Sequence, residues 1–456
     1  IISILCSLLL HSFQCSPRTR SKPKPELHSS LFLIACFFVL IRLPGTDLPL
    51  HQDEYKWPQI VNPSLGSETE IPHPPLSQFI YRTAGELVGF NVNFRFVPLF
   101  FGTINLLLLY LYMRMKWGRK PAFIGVSLFT LSYFSTLASL MVDTDGQILP
   151  FFFLVALIAY EKVKRVKATY TFVWGVLLVL SLIGGLFVKV SFFLPIVAIT
   201  FDFLWLKRHV VSKKDLLRYT AYGLGFIGFM ILALSISQKI FPFFSLEKSL
   251  TYWQHFWNTD RNWFQTLIQL AKVFLYTSPF FILISLYINK KYIREVLPHI
   301  AYLVCGFIFY IVLFDFSIGA LDRYFQFIIV PLSVIGGLSI FGLLKEGDVE
   351  SKRKKEFLLL GIVVSLVLIL LQTLPHYIPT LHPKSAWISR ILSLQWNFVY
   401  PFSGGSGPLG FYVSFLFMAL SWLISVGAII LGLIKKEVRV YVCMFLIPLG
   451  FAYNAV

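Results

Sequence analysis

HQDEYKWPQIVNPSLGSETEIPHPPL, residues 51–76, is polar, acidic and punctuated by proline, and it sits between two strongly apolar stretches. A segment flanked in that way belongs at a membrane surface. It holds two adjacent carboxylates, Asp53 and Glu54, ahead of a His-Pro-Pro turn at His73, Pro74 and Pro75.

The composition around it agrees. Of 456 residues, 57% are hydrophobic and only 14% charged, with a mean hydropathy of +0.73. Charged residues normally supply about a quarter of a soluble domain, so this chain is expected to be an all-α polytopic membrane protein. The net charge of +18 does not point to nucleic acid, because the basic residues fall in short clusters between apolar spans rather than along one face. Five cysteines, Cys6, Cys15, Cys36, Cys305 and Cys443, show no metal-ligand spacing. The chain opens on Ile1, which suggests a trimmed reading frame, and its first apolar run, 1–10, is about half the ~20 residues a spanning helix needs.

Apolar windows place about thirteen spans, near 29–45, 94–113, 121–141, 147–161, 171–187, 191–206, 219–240, 265–288, 299–314, 324–343, 357–374, 411–434 and 440–456. Alternating the connections puts 18–24, 114–120, 162–167, 207–218, 290–294, 345–355 and 435–439 on one side. These clusters hold 28 of the 40 Lys and Arg, which marks that side as cytoplasmic. Residues 1–28 then form a cytoplasmic N-terminal segment and 29–456 one transmembrane domain. Every unusual polar feature falls on the other, non-cytoplasmic face: the long loop 46–93, the 143–146 turn, the Lys189 hairpin, the Trp-rich loop 243–264, the 315–323 turn and the Gly/Pro-rich loop 375–410.

That segregation is the first functional inference. A transporter needs ionisable groups near mid-span; Lys272 lies inside an apolar span, but no series of such groups stands out. Two neighbouring carboxylates have diverging side chains, so Asp53 and Glu54 favour a single base over an acid/base pair. Lys189 lies between two apolar runs, a costly place for a cation unless it reaches an interface or pairs with an anion. Arg323 offers a planar fork of donors suited to two phosphate oxygens, with Asp322 beside it. Asp143 and Asp145 form an Asp-x-Asp, a spacing that holds a divalent cation when a phosphate completes the shell; two carboxylates alone make a poor cage, and metal dependence stays open. No HExxH or paired histidine ligands occur.

The order HQDEY, HPPLSQF and GFNVNFRFVPLFFGTINLLLLYLY resembles the opening of the GT-C superfamily of polyprenyl-phosphate-sugar glycosyltransferases, in particular the protein mannosyltransferases and the lipid A aminoarabinose transferases. The resemblance extends through MVDTDGQILPFFF, GGLFVKVSFFLP and LDRYFQFIIVPL. It implies a GT-C-like fold with its active site on the non-cytoplasmic face, Asp53 as catalytic base with Glu54 beside it, and Lys189, Arg323 and Tyr324 at the donor phosphate. His73, Arg95 and either Asp143 or Asp145 fall at substrate-binding positions, spacing to Phe151 favouring Asp145. Val188 and Val190 replace the Thr and Gly usual around the lysine. The implied partners are a polyprenyl-phosphate-linked sugar, a glycolipid, protein or polymer acceptor, and the lipid bilayer of a bacterial inner membrane or endoplasmic reticulum. The implied reaction is an inverting sugar transfer, with a lipid-linked oligosaccharide polymerase or ligase, or a transporter, as alternatives.

Overall fold

The computed structural model describes residues 26–48, 50, 54–62, 73–89, 94–165, 168–207, 213–241, 244–257, 260–315, 321–346, 351–373, 401–402 and 413–455. Within these the chain is almost wholly helical, as a lipid environment requires of a backbone that has no water to bond with. One two-residue antiparallel ladder, Pro401–Phe402 with Val413–Ser414, is the regular sheet among the described residues.

The first half builds the scaffold for the site. Helix α1 (Glu26–Leu40) leads into the outer region, where α2 (Lys56–Val61) and α3 (Pro75–Val88) lie. The 46–93 loop therefore contains helices rather than irregular chain. Pro75 opens α3, where its missing N–H costs nothing. Helix α4 (Phe96–Trp117) follows Arg95 and runs 22 residues, about 33 Å at 1.5 Å per residue. It turns at Gly118, whose φ of 92° suits glycine, into α5 (Arg119–Leu131).

The apolar window 121–141 is not one straight helix. It breaks at Ser132, and α6 (Tyr133–Leu140) leaves α5 at 63°. A broken helix strands carbonyls of its last turn, and the buried Arg42 meets one of them. Its Nη2 donates to Thr130 O at 3.1 Å and Ser135 Oγ at 3.2 Å, while Nη1 donates to Phe38 O at 2.9 Å. The bend leads into the turn 141–147, after which α7 (Ile148–Arg165) runs back along the bundle.

Helices α8 (Ala168–Val188) and α9 (Phe193–Lys207) make the hairpin that carries Lys189, and α10 (Lys213–Ser237) follows. In the loop 243–264 a capped helix, α11 (Leu246–Phe256), starts where Ser245 accepts from Lys248 N. The window 265–288 is also broken: α12 (Trp263–Thr277) and α13 (Pro279–Leu283) meet at a 93° corner where Ser278 has φ 79°. After α14 (Lys290–Ile293), α15 (Leu297–Phe307) ends in a π-helical turn, Ile308–Leu313. Then come α16 (Leu321–Tyr324), α17 (Ile329–Glu346), α18 (Ser351–Thr373), α19 (Phe415–Ile434) and α20 (Arg439–Ala455). Glycines let the long helices close up: a Cβ on Gly337 of α17 would meet the Gly125 Cα of α5 at 2.9 Å, and one on Gly361 of α18 would meet Phe445 O of α20 at 2.4 Å.

By length and composition, five helices among the described residues are long and apolar enough to cross a membrane, or up to seven if each bent pair is one span. Shorter apolar helices at Ser30–Gly45, Val190–Leu206, Ala221–Ser237 and Leu297–Leu313 cover most of the remaining windows. The loop 375–410 lies outside the described residues apart from 401–402, and residues 1–25 lie outside them altogether.

Helices α4 and α7 each carry charge at both ends. At the end away from the outer loops, Lys116 Nζ pairs with Glu161 Oε1 at 2.7 Å, and Lys164 Nζ meets Glu161 at 2.8 Å and Asp202 at 3.6 Å. At the other end of the same two helices lie Arg95 and the 141–147 turn.

Candidate active site

The site assembles around the 141–147 turn, held from three sides. From the first loop, Glu54 accepts from Val142 N at 2.8 Å and forms a fork with Arg95, at 2.7 Å to Nη1 and 2.9 Å to Nη2. Arg95 also donates to Leu48 O at 3.0 Å and Leu140 O at 2.5 Å. Both side chains are buried, a setting in which a bidentate pair fixes geometry well. From α3, Tyr81 donates to Asp143 O at 3.0 Å. From inside the bundle, Gln147 donates to Ser139 Oγ at 3.0 Å and accepts from Asn105 Nδ2 at 2.8 Å, while Asn105 also reaches Gln147 O at 2.7 Å. Gly146 has no room for a side chain, since a Cβ would meet Gln326 Oε1 at 2.6 Å and the Ala138 Cα at 2.9 Å.

The two acids of this turn each face a cation from a distant segment. Asp145 Oδ2 accepts from Lys189 Nζ at 2.5 Å, and Asp143 forms an ion pair with Arg323. All four side chains are nearly closed to solvent. Lys189 sits in extended conformation between α8 and the turn Val190–Phe192, its N–H still bonded to Gly185 O. The two cations share one wall: Lys189 Nζ lies 4.9 Å and Arg323 Cζ 6.0 Å from the Tyr324 ring centroid. The Tyr324 hydroxyl is bonded to that of Tyr252, which ties α11 to the site.

On the first-loop side, Trp57 stacks between Tyr81, at 4.5 Å, and His73, at 5.5 Å. Lys56 Nζ donates to His73 Nε2 at 3.3 Å; an ammonium has only donors, so this nitrogen carries no proton. Burial first, then the charge of Lys56, hold the imidazole well below its usual value. Burial works against the Asp143 charge, but Arg323, with Lys56 and Lys189 behind it, outweighs it and holds that carboxyl well below the ordinary range. For Asp145 burial wins over Lys189, and the carboxyl is pushed up. Two acids two residues apart are thus driven in opposite directions.

Of the residues singled out from sequence, Glu54, His73, Arg95, Asp143, Asp145, Lys189, Arg323 and Tyr324 converge on this one region. Asp53 lies outside the described residues, as does the Asp322 side chain, and Arg323 is met by Asp143 instead. Glu54 and Arg95 form a brace behind the turn, a role that side-chain type alone does not reveal. Sequence reading missed Lys56, Trp57, Tyr81 and Tyr252. The signal for Lys56 was present: a lone lysine three residues after an acid in an otherwise acidic loop. Among the described residues no group of three or more His, Cys, Asp or Glu could hold a metal ion. Asp143 and Asp145 each pair with a cation, and two carboxylates alone make a poor divalent-ion cage.

A family model described as dolichyl-phosphate-mannose-protein mannosyltransferase matches residues 72–234, a little over a third of the chain. That stretch includes His73, Arg95, both turn acids and Lys189. Among solved structures, the fold is similar to that of ArnT from Cupriavidus metallidurans in the apo state, with a TM-score of 0.53 at 13% identity over 94% of this chain and 76% of that one. The same protein bound to undecaprenyl phosphate gives 0.53 at 13% identity, over 93% and 75% of the two chains. Likeness at such low identity speaks to fold. No curated protein sequence matches this chain. Residues 72–234 are thus similar to that mannosyltransferase family, and the fold of nearly the whole chain is similar to that of ArnT.

Proposed function

We propose that this protein moves a sugar from a polyprenyl-phosphate carrier to an acceptor hydroxyl, with inversion, at the non-cytoplasmic face of a membrane that it crosses about thirteen times. The observation that carries the reading is the convergence of Lys189 and Arg323, from segments more than a hundred residues apart, on one aromatic wall beside the turn that Glu54 braces. Two cations at one buried point suit a phosphate. Similarity to a protein solved with undecaprenyl phosphate supports a lipid-borne one. The basic clusters and the Lys116–Glu161–Lys164 network at the opposite end of α4 and α7 support the outward orientation.

Asp53 precedes Glu54, whose carboxylate bonds the residue next to Asp143. In the proposed reaction the Asp53 carboxylate accepts the acceptor O–H proton as that oxygen attacks the anomeric carbon. The new C–O bond forms on the face opposite the breaking bond to phosphate, and the leaving polyprenyl phosphate gains a negative charge. Lys189 and Arg323 stabilise that growing charge, where oriented cations in a dry site act most strongly. His73, kept neutral, adds no charge beside them.

The test is Asp53→Asn. The variant is expected to be recovered from membranes in wild-type amount and to lose transfer by about 10²-fold or more, the scale of general-base catalysis. Transfer at near wild-type rate removes Asp53 from the mechanism.

A further inference from the structure

Resting on that reading, we propose that Asp143 and Asp145 are resident counter-ions: they occupy Arg323 and Lys189 while the site is empty, and the lipid phosphate displaces them. Four observations carry this. First, both pairs are nearly sealed from water. A lone cation in such a place costs several kcal/mol, so without an anion of its own the empty site would be unstable or would lose its charge.

Second, the acids sit on a firmly gripped turn and the cations on long side chains. The turn is gripped through Val142 N, Asp143 O and Gln147, and Gly146 is wedged against Gln326 and Ala138. Lys189 and Arg323 reach the acids on long, flexible stems. Exchange therefore needs only a swing of two side chains along the Tyr324 ring, not a rearrangement of backbone.

Third, both cations lie against the one Tyr324 ring, within reach of a single phosphate. Fourth, each acid is paired with a different cation, Asp145 with Lys189 and Asp143 with Arg323, which is the arrangement of charge balance. The chemical consequence concerns release. A phosphodiester donor carries one negative charge and the polyprenyl phosphate product up to two. Built-in carboxylates compete with both, and they keep the more highly charged product from holding the cations indefinitely.

The experiment measures binding of undecaprenyl phosphate to the purified full chain in detergent, for the wild type, Asp143→Asn and Asp145→Asn. Each variant is expected to bind at least about tenfold more tightly, to unfold at lower temperature when empty, and to regain wild-type stability when the lipid is added. The double variant Lys189→Met with Asp145→Asn, which leaves no lone charge, is expected to be as stable as the wild type and to bind weakly. Equal or weaker binding by both single variants overturns the proposal, as does a double variant no more stable than Asp145→Asn. Wild-type binding that requires an added divalent cation, and that both single variants lose, also overturns it and makes the acids metal ligands. Failure of the wild type to bind the lipid at all refutes the functional reading instead.

Discussion

His73 shows how far one side chain's state depends on neighbours that the sequence does not place beside it. In the chain it is the residue before Pro-Pro; in the fold it is stacked on Trp57, bonded by Lys56 and buried, and its imidazole is held well below 6.5. The folded protein therefore binds fewer protons than the unfolded chain between those two values. Stability is fully present above the unfolded value and is lost as pH falls through the folded one, with a slope of at most about 1.4 kcal/mol per pH unit for one proton. Thermal unfolding from pH 7.5 down to 4.5 is expected to show that loss in the wild type. A smaller loss is expected in His73→Gln, which has no proton to gain. Identical pH dependence in the two proteins would show that His73 is not the group responsible.

At the level of elements, the 141–147 turn is what the broken α5–α6 pair delivers. The bend was invisible as a break in hydropathy, because 121–141 is apolar throughout; it falls at Ser132, and Arg42 spans it by donating to the stranded Thr130 carbonyl and to the Ser135 hydroxyl. The 46–93 loop was legible as polar, and its acids were visible, but the partner of Glu54 was not. Adjacent carboxylates look alike in a sequence, and only Arg95, 41 residues from Glu54, makes Glu54 a brace. Because that pair is buried, Glu54→Gln is expected to cost about 3–5 kcal/mol of stability, the usual result of removing one partner from a buried ion pair. Chemical denaturation in mild detergent measures it. A loss below 1 kcal/mol, with transfer abolished, would assign Glu54 to the chemistry instead.

For the whole molecule, the segregation of charge carried most of what sequence alone could reach. Basic clusters at one end and polar loops at the other placed Lys189, Arg323 and both turn acids on a common face, and in the fold they meet. What the pattern could not supply was pairing. Lys189 to Asp145 spans 44 residues and Arg323 to Asp143 still more, and such contacts follow from how the α8–α9 hairpin and α16 come against the 141–147 turn rather than from local spacing. Of the network of Lys116, Glu161, Lys164 and Asp202, the sequence showed the two lysines as loose basic charge and left the two acids inside apolar windows, yet together they fasten the far ends of α4 and α7 to α9.

The account stands on the chemistry at the outer end, and one measurement addresses it directly. Purified protein in liposomes is supplied with a glycosylated polyprenyl phosphate and a membrane extract as acceptor source, and the lipid products are followed by mass spectrometry. The account predicts protein-dependent consumption of the donor with release of polyprenyl monophosphate and appearance of the sugar on an acceptor in the opposite anomeric configuration. Donor left intact, or sugar carried across the bilayer still attached to its lipid, would contradict it.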